Sequence, residues 1–119
     1  MLEEMNVTLD TQIIENGKNL SGGQKQRLSI ARMLIGQAHV LLVDEATSSL
    51  DVLSTKQIDE LLLSLDQTVI NVTHKLDPEI LKQYDQILVL NQGYLVEVGD
   101  YSSLLQQHHY FYNLVNNVS

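Results

Sequence analysis

The first strongly patterned stretch of the chain predicts a helix followed by a buried strand. A helix is expected from Ser21 to Gly36, and its apolar face consists of Leu28, Ala31, Leu34 and Ile35. Residues 40–43 (Val-Leu-Leu-Val) form a continuous apolar run that ends in two acidic residues. A short run of this kind is typical of a parallel strand that is buried on both faces.

A second helix and a second strand follow in the same order. Residues 54–57 (Ser-Thr-Lys-Gln) have the spacing of a capping box, in which two side chains satisfy free backbone amides at a helix start. The apolar face of this helix is expected to be Ile58, Leu61, Leu62 and Leu65. Residues 68–73 are rich in β-branched side chains and predict the second strand.

The remaining sequence predicts shorter elements. Asp77-Pro78 is expected to open a short helix, since Asp is a good N-cap and Pro suits the first helical position. Residues 87–90 and 94–98 flank Asn91-Gln92-Gly93, which predicts a hairpin with a three-residue turn. Residues 100 to about 115 predict a final helix, and Asn16-Gly17 predicts a turn. Strands alternating with helices indicate an α/β fold with a mostly parallel sheet and a hairpin near its edge.

Composition and charge narrow the function classes. The chain has 119 residues, a formal net charge of −8 and no cysteine. Excess negative charge disfavours a nucleic-acid surface, and the lack of thiols excludes disulfides and thiolate metal sites. No apolar run exceeds four residues, far below the roughly 18 that span a bilayer.

Polar, reactive residues follow both predicted strands. The first strand leads into Asp44 and Glu45, and the second into His74. Because the carboxyl ends of parallel strands share one sheet edge, these three side chains are expected to converge where a metal–nucleotide complex can bind. In addition, Ser21, Gly22 and Gly23 directly precede a helix, where bare backbone amides favour an anion.

Four segments in one order resemble the ATP-binding-cassette (ABC) ATPases. Residues 19–27 (NLSGGQKQR) resemble the family's signature motif, and residues 40–51 (VLLVDEATSSLD) resemble the Walker B strand, catalytic glutamate and D-loop. Residues 72–76 (VTHKL) resemble the switch-histidine loop, and residues 85–99 resemble the hairpin that follows it. The resemblance covers nearly the whole chain from Gln12 onward.

The resemblance implies a role for each matched residue. In this family two nucleotide-binding domains pack head to tail and sandwich ATP between one domain's Walker A loop and the other's signature. It implies that Asp44 holds Mg²⁺, Glu45 acts as general base and His74 contacts the γ-phosphate. The residues implied to face a partner domain's ATP or the dimer contact are Ser21, Gly22, Gly23, Gln24 and Asp51.

The Walker A motif, G-x-x-x-x-G-K-[ST], does not occur in this sequence, and neither does the family's Q-loop. Residues 1–119 are therefore interpreted as the C-terminal portion of a single nucleotide-binding domain. The expected fold is a partial P-loop NTPase fold that lacks the Walker A strand. In the family that strand lies beside the strand ending at the switch histidine. We expect the isolated chain to be aggregation-prone, and we do not expect it to turn over ATP alone.

The spacing of Gly17 before Leu20 and the ending GDYSSLL are most like exporter-type domains. The resemblance then implies an ATPase module that drives transport, with a second nucleotide-binding domain and a transmembrane domain as partners, at the inner face of the cell membrane. One alternative is a non-catalytic fragment that at most docks on an intact domain. A soluble ABC protein of repair or translation is a weaker alternative, because the chain is acidic. The transported substrate is not encoded in this stretch.

Overall fold

A computed structural model describes residues 20–116, which contain five helices and four strands. In chain order they are α1 (Gly22–Ile35), β1 (Val40–Asp44), α2 (Val52–Ser64), β2 (Thr68–Val72), α3 (Pro78–Leu81), β3 (Ile87–Asn91), β4 (Tyr94–Gly99), α4 (Tyr101–Gln107) and α5 (Tyr110–Val115). The chain divides into two compact units between Thr73 and His74. The expected turn at Asn16-Gly17 lies outside the described residues.

The first unit confirms the predicted parallel strand pair. β1 and β2 run parallel, with Leu42 opposite Ile70 and Asp44 opposite Val72. Both helices of this unit cover the same face of the pair, because one core joins them to β1: its buried members are Ile30, Leu41, Val43, Ile58 and Leu62. The predicted apolar face of α2 is therefore confirmed, since Leu61 and Leu65 also pack against this core.

The opposite face of the strand pair is exposed, so the prediction that β1 is buried on both faces is wrong for the residues described. Leu41 is 1% exposed, whereas its neighbour Leu42 is 68% exposed. Val40, Ile70 and Val72 are exposed as well. Successive strand residues point to opposite faces, and only one face meets the helices of this unit.

Two other predictions for the first unit need correction. The second helix begins at Val52, with Asp51 as its N-cap, rather than at Ser54. The Asp51 carboxylate outcompetes the expected cap because it accepts a hydrogen bond from the Ser54 amide at 2.8 Å. In α1 the buried residues are Gly23, Arg27 and Ile30, and Ile35 is 83% exposed, so the apolar face lies beside the predicted one.

The second unit is built on an antiparallel hairpin. β3 and β4 pair with a register shift after Val89, and Asn91 faces Tyr94. The turn therefore has two residues rather than three: Gln92 and Gly93, both with positive φ (50° and 81°). This is the arrangement that matches the twist of the two strands. The described residues thus hold one parallel and one antiparallel pair, not the mostly parallel sheet expected.

The C-terminal helix is also interrupted. α4 ends at His108, whose φ of 54° is left-handed, and α5 starts after His109. Phe111 then enters the core of this unit, whose buried members are Leu81, Val89, Tyr101, Leu104 and Phe111. The Glu97 carboxylate, buried on β4, accepts a hydrogen bond from the Phe111 amide at 2.6 Å and so holds the start of α5.

The exposed sheet face generates a prediction about the isolated chain. We expect the 119-residue chain to self-associate, because Val40, Leu42, Ile70 and Val72 form an exposed apolar surface on the strand pair. Leu42→Thr with Ile70→Thr should shift it towards the monomer in sedimentation velocity.

The matched control is Leu41→Thr, on the covered face. It should instead lower the free energy of unfolding by about 3 kcal/mol, because it removes buried methyl groups and buries a hydroxyl. A wild-type chain that stays monomeric at all concentrations would contradict the prediction.

Candidate functional site

The start of α1 forms a backbone anion cradle. Ser21 is the N-cap: its hydroxyl accepts from the Gln24 amide at 3.1 Å, and the Gln24 side chain accepts from the Ser21 amide at 2.9 Å. The Lys25 amide donates to the Ser21 carbonyl at 3.0 Å. No described residue accepts a hydrogen bond from the amides of Gly22 and Gly23, which belong to the positive end of a 14-residue helix. These amides are available to a phosphate oxygen.

Two glycines bring this cradle close to α2. A Cβ added at Gly22 would lie 2.6 Å from Leu50 Cδ2, and one added at Gly23 would lie 3.1 Å from Ser54 Oγ. Leu50 lies in the loop before α2 and its side chain can move aside, whereas Ser54 is part of α2, so a side chain at position 23 would crowd the contact between the two helices. The glycines of the predicted signature therefore serve packing as well as amide exposure.

Asp51 lies at the other side of this helix contact. As the N-cap of α2, it takes up the amide of Ser54, the same residue that packs on Gly23. The hydrogen bonds from the Ser54 hydroxyl and then from its amide hold the pKa of Asp51 below its ordinary value. Asp51 is thus stabilised as an anion and tied to the helix start that supports the cradle.

Asp44 and Glu45 lie at the carboxyl end of β1, as predicted. Glu45 has a left-handed backbone (φ 48°), and its amide donates to the Val72 carbonyl of β2 at 2.7 Å. A non-glycine residue in this conformation is strained, and such strain is concentrated at functional sites. The loop after Glu45 is held by bonds from the Ser48 amide to the Glu45 carbonyl and from the Leu50 amide to the Thr47 carbonyl.

Asp44 fits the needs of Mg²⁺ when a nucleotide supplies the other ligands. Among residues 20–116 no group of three or more His, Asp or Glu side chains is arranged to hold a metal ion. Mg²⁺ in nucleotide sites is bound by one or two carboxylates, with phosphate oxygens and water completing the shell. One exposed carboxylate at a strand end satisfies that requirement.

His74 is exposed and belongs to the second unit, directly after the division of the chain. Its convergence with Asp44 and Glu45 stays a prediction. The first unit contains the cradle, Asp51 and the two acids at the end of β1, and contacts through Ser54 connect the cradle to Asp51.

Comparisons with known proteins agree on one family. Residues 1–48 match the ABC transporter family. The transport/processing ATP-binding protein ComA of Streptococcus pneumoniae is 42% identical over 115 residues, covering 97% of this chain and 16% of that protein. An ATP-dependent lipid A-core flippase of Albidiferax ferrireducens is 44% identical over 115 residues, covering 95% and 19%.

A solved structure of a bacterial Atm1-family ABC exporter with ATP bound has a TM-score of 0.74 and 35% identity. The match covers 92% of this chain and 20% of that one. The chain belongs to the ABC transporter family. It spans less than a fifth of the length of the two curated relatives named, which are exporter-type proteins.

A cleft of about 140 Å³ lies between α1 and β1 of this ABC chain. It is lined by Gln26, Ser29, Ile30, Met33, Leu42, Val43, Asp44 and Ala46. This volume is below the range of about 300–1,000 Å³ that is typical of small-molecule pockets. No helix among residues 20–116 is long and apolar enough to cross a membrane.

Sequence reasoning missed two residues beside the cradle. Arg27 is buried in α1 and donates a hydrogen bond to the Gln57 side chain of α2. The signal was present, because Gly23, Arg27 and Ile30 follow helical spacing, but a charged residue on that stripe reads as solvent-facing.

The glycine contact predicts a position-specific effect of alanine. In the Leu42→Thr/Ile70→Thr chain, Gly23→Ala should lower the free energy of unfolding by about 1–2 kcal/mol, since the new methyl group overpacks Ser54. Gly36→Ala is the matched control: its φ is −72° and its Cβ has room, so stability should stay level or rise by about 0.5 kcal/mol. Equal effects in chemical denaturation would contradict the packing role.

The Asp51 cap predicts a dependence on acid. Because the folded pKa is lowered, this carboxylate adds stability above its ordinary pKa of about 3.9, and that stability is lost as the pH falls through the folded value. In the same background, Asp51→Asn keeps an accepting oxygen but cannot ionise. The melting temperature of this variant should therefore fall less than that of its parent between pH 5 and pH 3. If the two chains have the same pH dependence, the proposed role of the cap is contradicted.

Proposed function

We propose that this chain is part of the ATP-binding domain of an ABC exporter, in which two such domains sandwich and hydrolyse ATP to drive transport. The observation that supports it most is the α1 cradle, which offers two backbone amides to a phosphate in the same unit as Asp44 and Glu45. In the family that this chain resembles, the signature of one domain faces ATP held by the Walker A loop of the other. We infer that the ATP that the cradle of this chain grips is likewise held by a second domain.

Each site residue then has a part in phosphoryl transfer. Ser21, Gly22 and Gly23 bind oxygens of the γ-phosphate, and Gln24 keeps Ser21 in place through the capping box. Asp51 stabilises the loop that faces the partner domain. These contacts position the phosphate and spread its negative charge, which is most of what this reaction requires.

Glu45 is the proposed general base, and Asp44 the proposed ligand of Mg²⁺. When bound, Mg²⁺ neutralises charge on the phosphate oxygens. The Glu45 carboxylate orients a water and accepts its proton as the water attacks phosphorus. Its backbone is anchored to β2 by the bond to the Val72 carbonyl, so the carboxylate is carried by a rigid strand pair. His74 is proposed to contact the γ-phosphate.

The relatives indicate which part of an exporter this stretch supplies. The names of the matched proteins refer to cargoes as different as lipid A-core and lactococcin, at 44% and 39% identity. A stretch shared by both supplies the ATP-driven part. We therefore place this chain on the cytoplasmic side of a membrane, paired with a second ATP-binding domain and a transmembrane domain.

Glu45→Gln tests the base. In the intact exporter that carries this stretch, the substitution should lower ATP hydrolysis by at least about a hundredfold, because the amide cannot accept a proton. ATP binding should persist, because shape is conserved. Turnover is measured by phosphate release and binding by equilibrium titration.

The control is Glu60→Gln, an exposed carboxylate on α2, which should leave both quantities unchanged. Near-normal turnover by Glu45→Gln would remove Glu45 as the base. That result would favour the alternative, a non-catalytic segment that only docks on an intact domain.

A further inference from the structure

A charged side chain lies inside the contact between α1 and α2. Gly23, Arg27 and Ile30 are the buried residues of α1, at positions i, i+4 and i+7, so they form one line along the helix. Arg27 is only 8% exposed. Burial of a guanidinium is costly unless it is hydrogen-bonded, and Arg is rarely buried to this degree.

The partner of Arg27 is a neutral amide on the facing helix. The guanidinium Nη2 donates to Gln57 Oε1, and Gln57 lies one turn after Ser54 in α2. Gln57 supplies no opposite charge, so the Coulombic compensation is weaker than in an ion pair. An apolar side chain at position 27 would serve stability alone, as Ile30 does in the adjoining core.

The pair gives the helix contact a second fixed point. Gly23 against Ser54 sets how closely the two helices approach, but a glycine has no side chain to stop sliding or rotation. The bond between Arg27 and Gln57 lies one turn further on and is directional. Together the two contacts fix α1 in both translation along its axis and rotation about it.

We propose that Arg27 and Gln57 are a positioning pair that holds the α1 cradle in register with the start of α2 and with Asp51, its N-cap. This inference rests on the proposed function, in which the cradle grips a phosphate held by a second domain. Ser54 connects the cradle to the start of α2, since it packs on Gly23 and its amide donates a hydrogen bond to the Asp51 carboxylate. A cradle that turns or slides by about 1 Å misplaces its amides, and misplacement on that scale has large effects on rate.

The test uses the intact exporter, with rates normalised to folded protein and measured well below the melting temperature. Arg27→Met and Gln57→Leu should each lower kcat by roughly tenfold and leave KM for ATP within about twofold, because the partner domain's phosphate loop dominates ground-state binding. Gln57→Glu, which still accepts from Arg27, should keep at least half of the wild-type kcat. The Arg27→Met/Gln57→Leu double variant should be no slower than the worse single variant, as expected for one shared interaction.

Ile30→Val is the matched control, since Ile30 lies on the same line of α1 but makes only apolar contacts in the core. It should lower the melting temperature and leave kcat unchanged. If Arg27→Met and Gln57→Leu behave like Ile30→Val, the pair is structural and the proposal is overturned. If Arg27→Met does not fold, Gln57→Leu still decides, because Gln57 is largely exposed. Glu45→Gln distinguishes the proposed function from the positioning role. If Glu45→Gln abolishes turnover while Arg27→Met and Gln57→Leu keep a normal kcat, only the positioning role is refuted.

Discussion

The close approach of two helix starts is the constraint on which the candidate site depends. α1 and α2 meet at Gly23, where a methyl group would lie 3.1 Å from Ser54 Oγ of α2. The amides of Gly22 and Gly23 have no acceptor among residues 20–116, as is usual for the first positions of a helix. One short segment therefore carries both the helix contact and the amides that we propose bind phosphate.

The strand pair places the acids by a different means. The ends of the two strands are joined by a hydrogen bond from the Glu45 amide, directly after β1, to the Val72 carbonyl at the end of β2. The left-handed backbone of Glu45 then turns the chain away from the sheet. This strained conformation is stabilised by the surrounding structure, in which Leu41 and Val43 of β1 pack in one core with both helices.

Elements with strong local signals were predictable from the sequence, and those settled by competition between residues were not. The helix starts at Ser21 and Asp77 were predicted, because their caps have no rival nearby. The start of α2 was misplaced, because Ser54 and Asp51 both suit an N-cap and only the folded chain shows that the carboxylate wins. The break at His108 carries no glycine or proline, so nothing in the sequence marks the end of α4.

Within the candidate site, too, residues with a local signal were predictable and those that depend on distant contacts were not. The sequence indicated that Asp44 and Glu45 lie at a strand end, since the apolar run of residues 40–43 stops directly before them. The burial of Arg27 was missed because a charged residue is ordinarily expected to face solvent. Its hydrogen-bond partner Gln57 lies 30 residues away, so the pairing depends on how the two helices pack. The exposed face of β1 was missed because an apolar run does not reveal which of its sides has a neighbour.

The hold of β4 on α5 has a consequence for any shortened form of this chain. A six-residue helix has little stability of its own, so α5 keeps its place through Phe111 in the core and the Glu97 carboxylate at its first turn. A stop codon before Phe111 would remove an aromatic ring from that core and take the amide donor away from the buried Glu97 carboxyl group. A form of the chain that keeps residues 97–115 retains both anchors of α5.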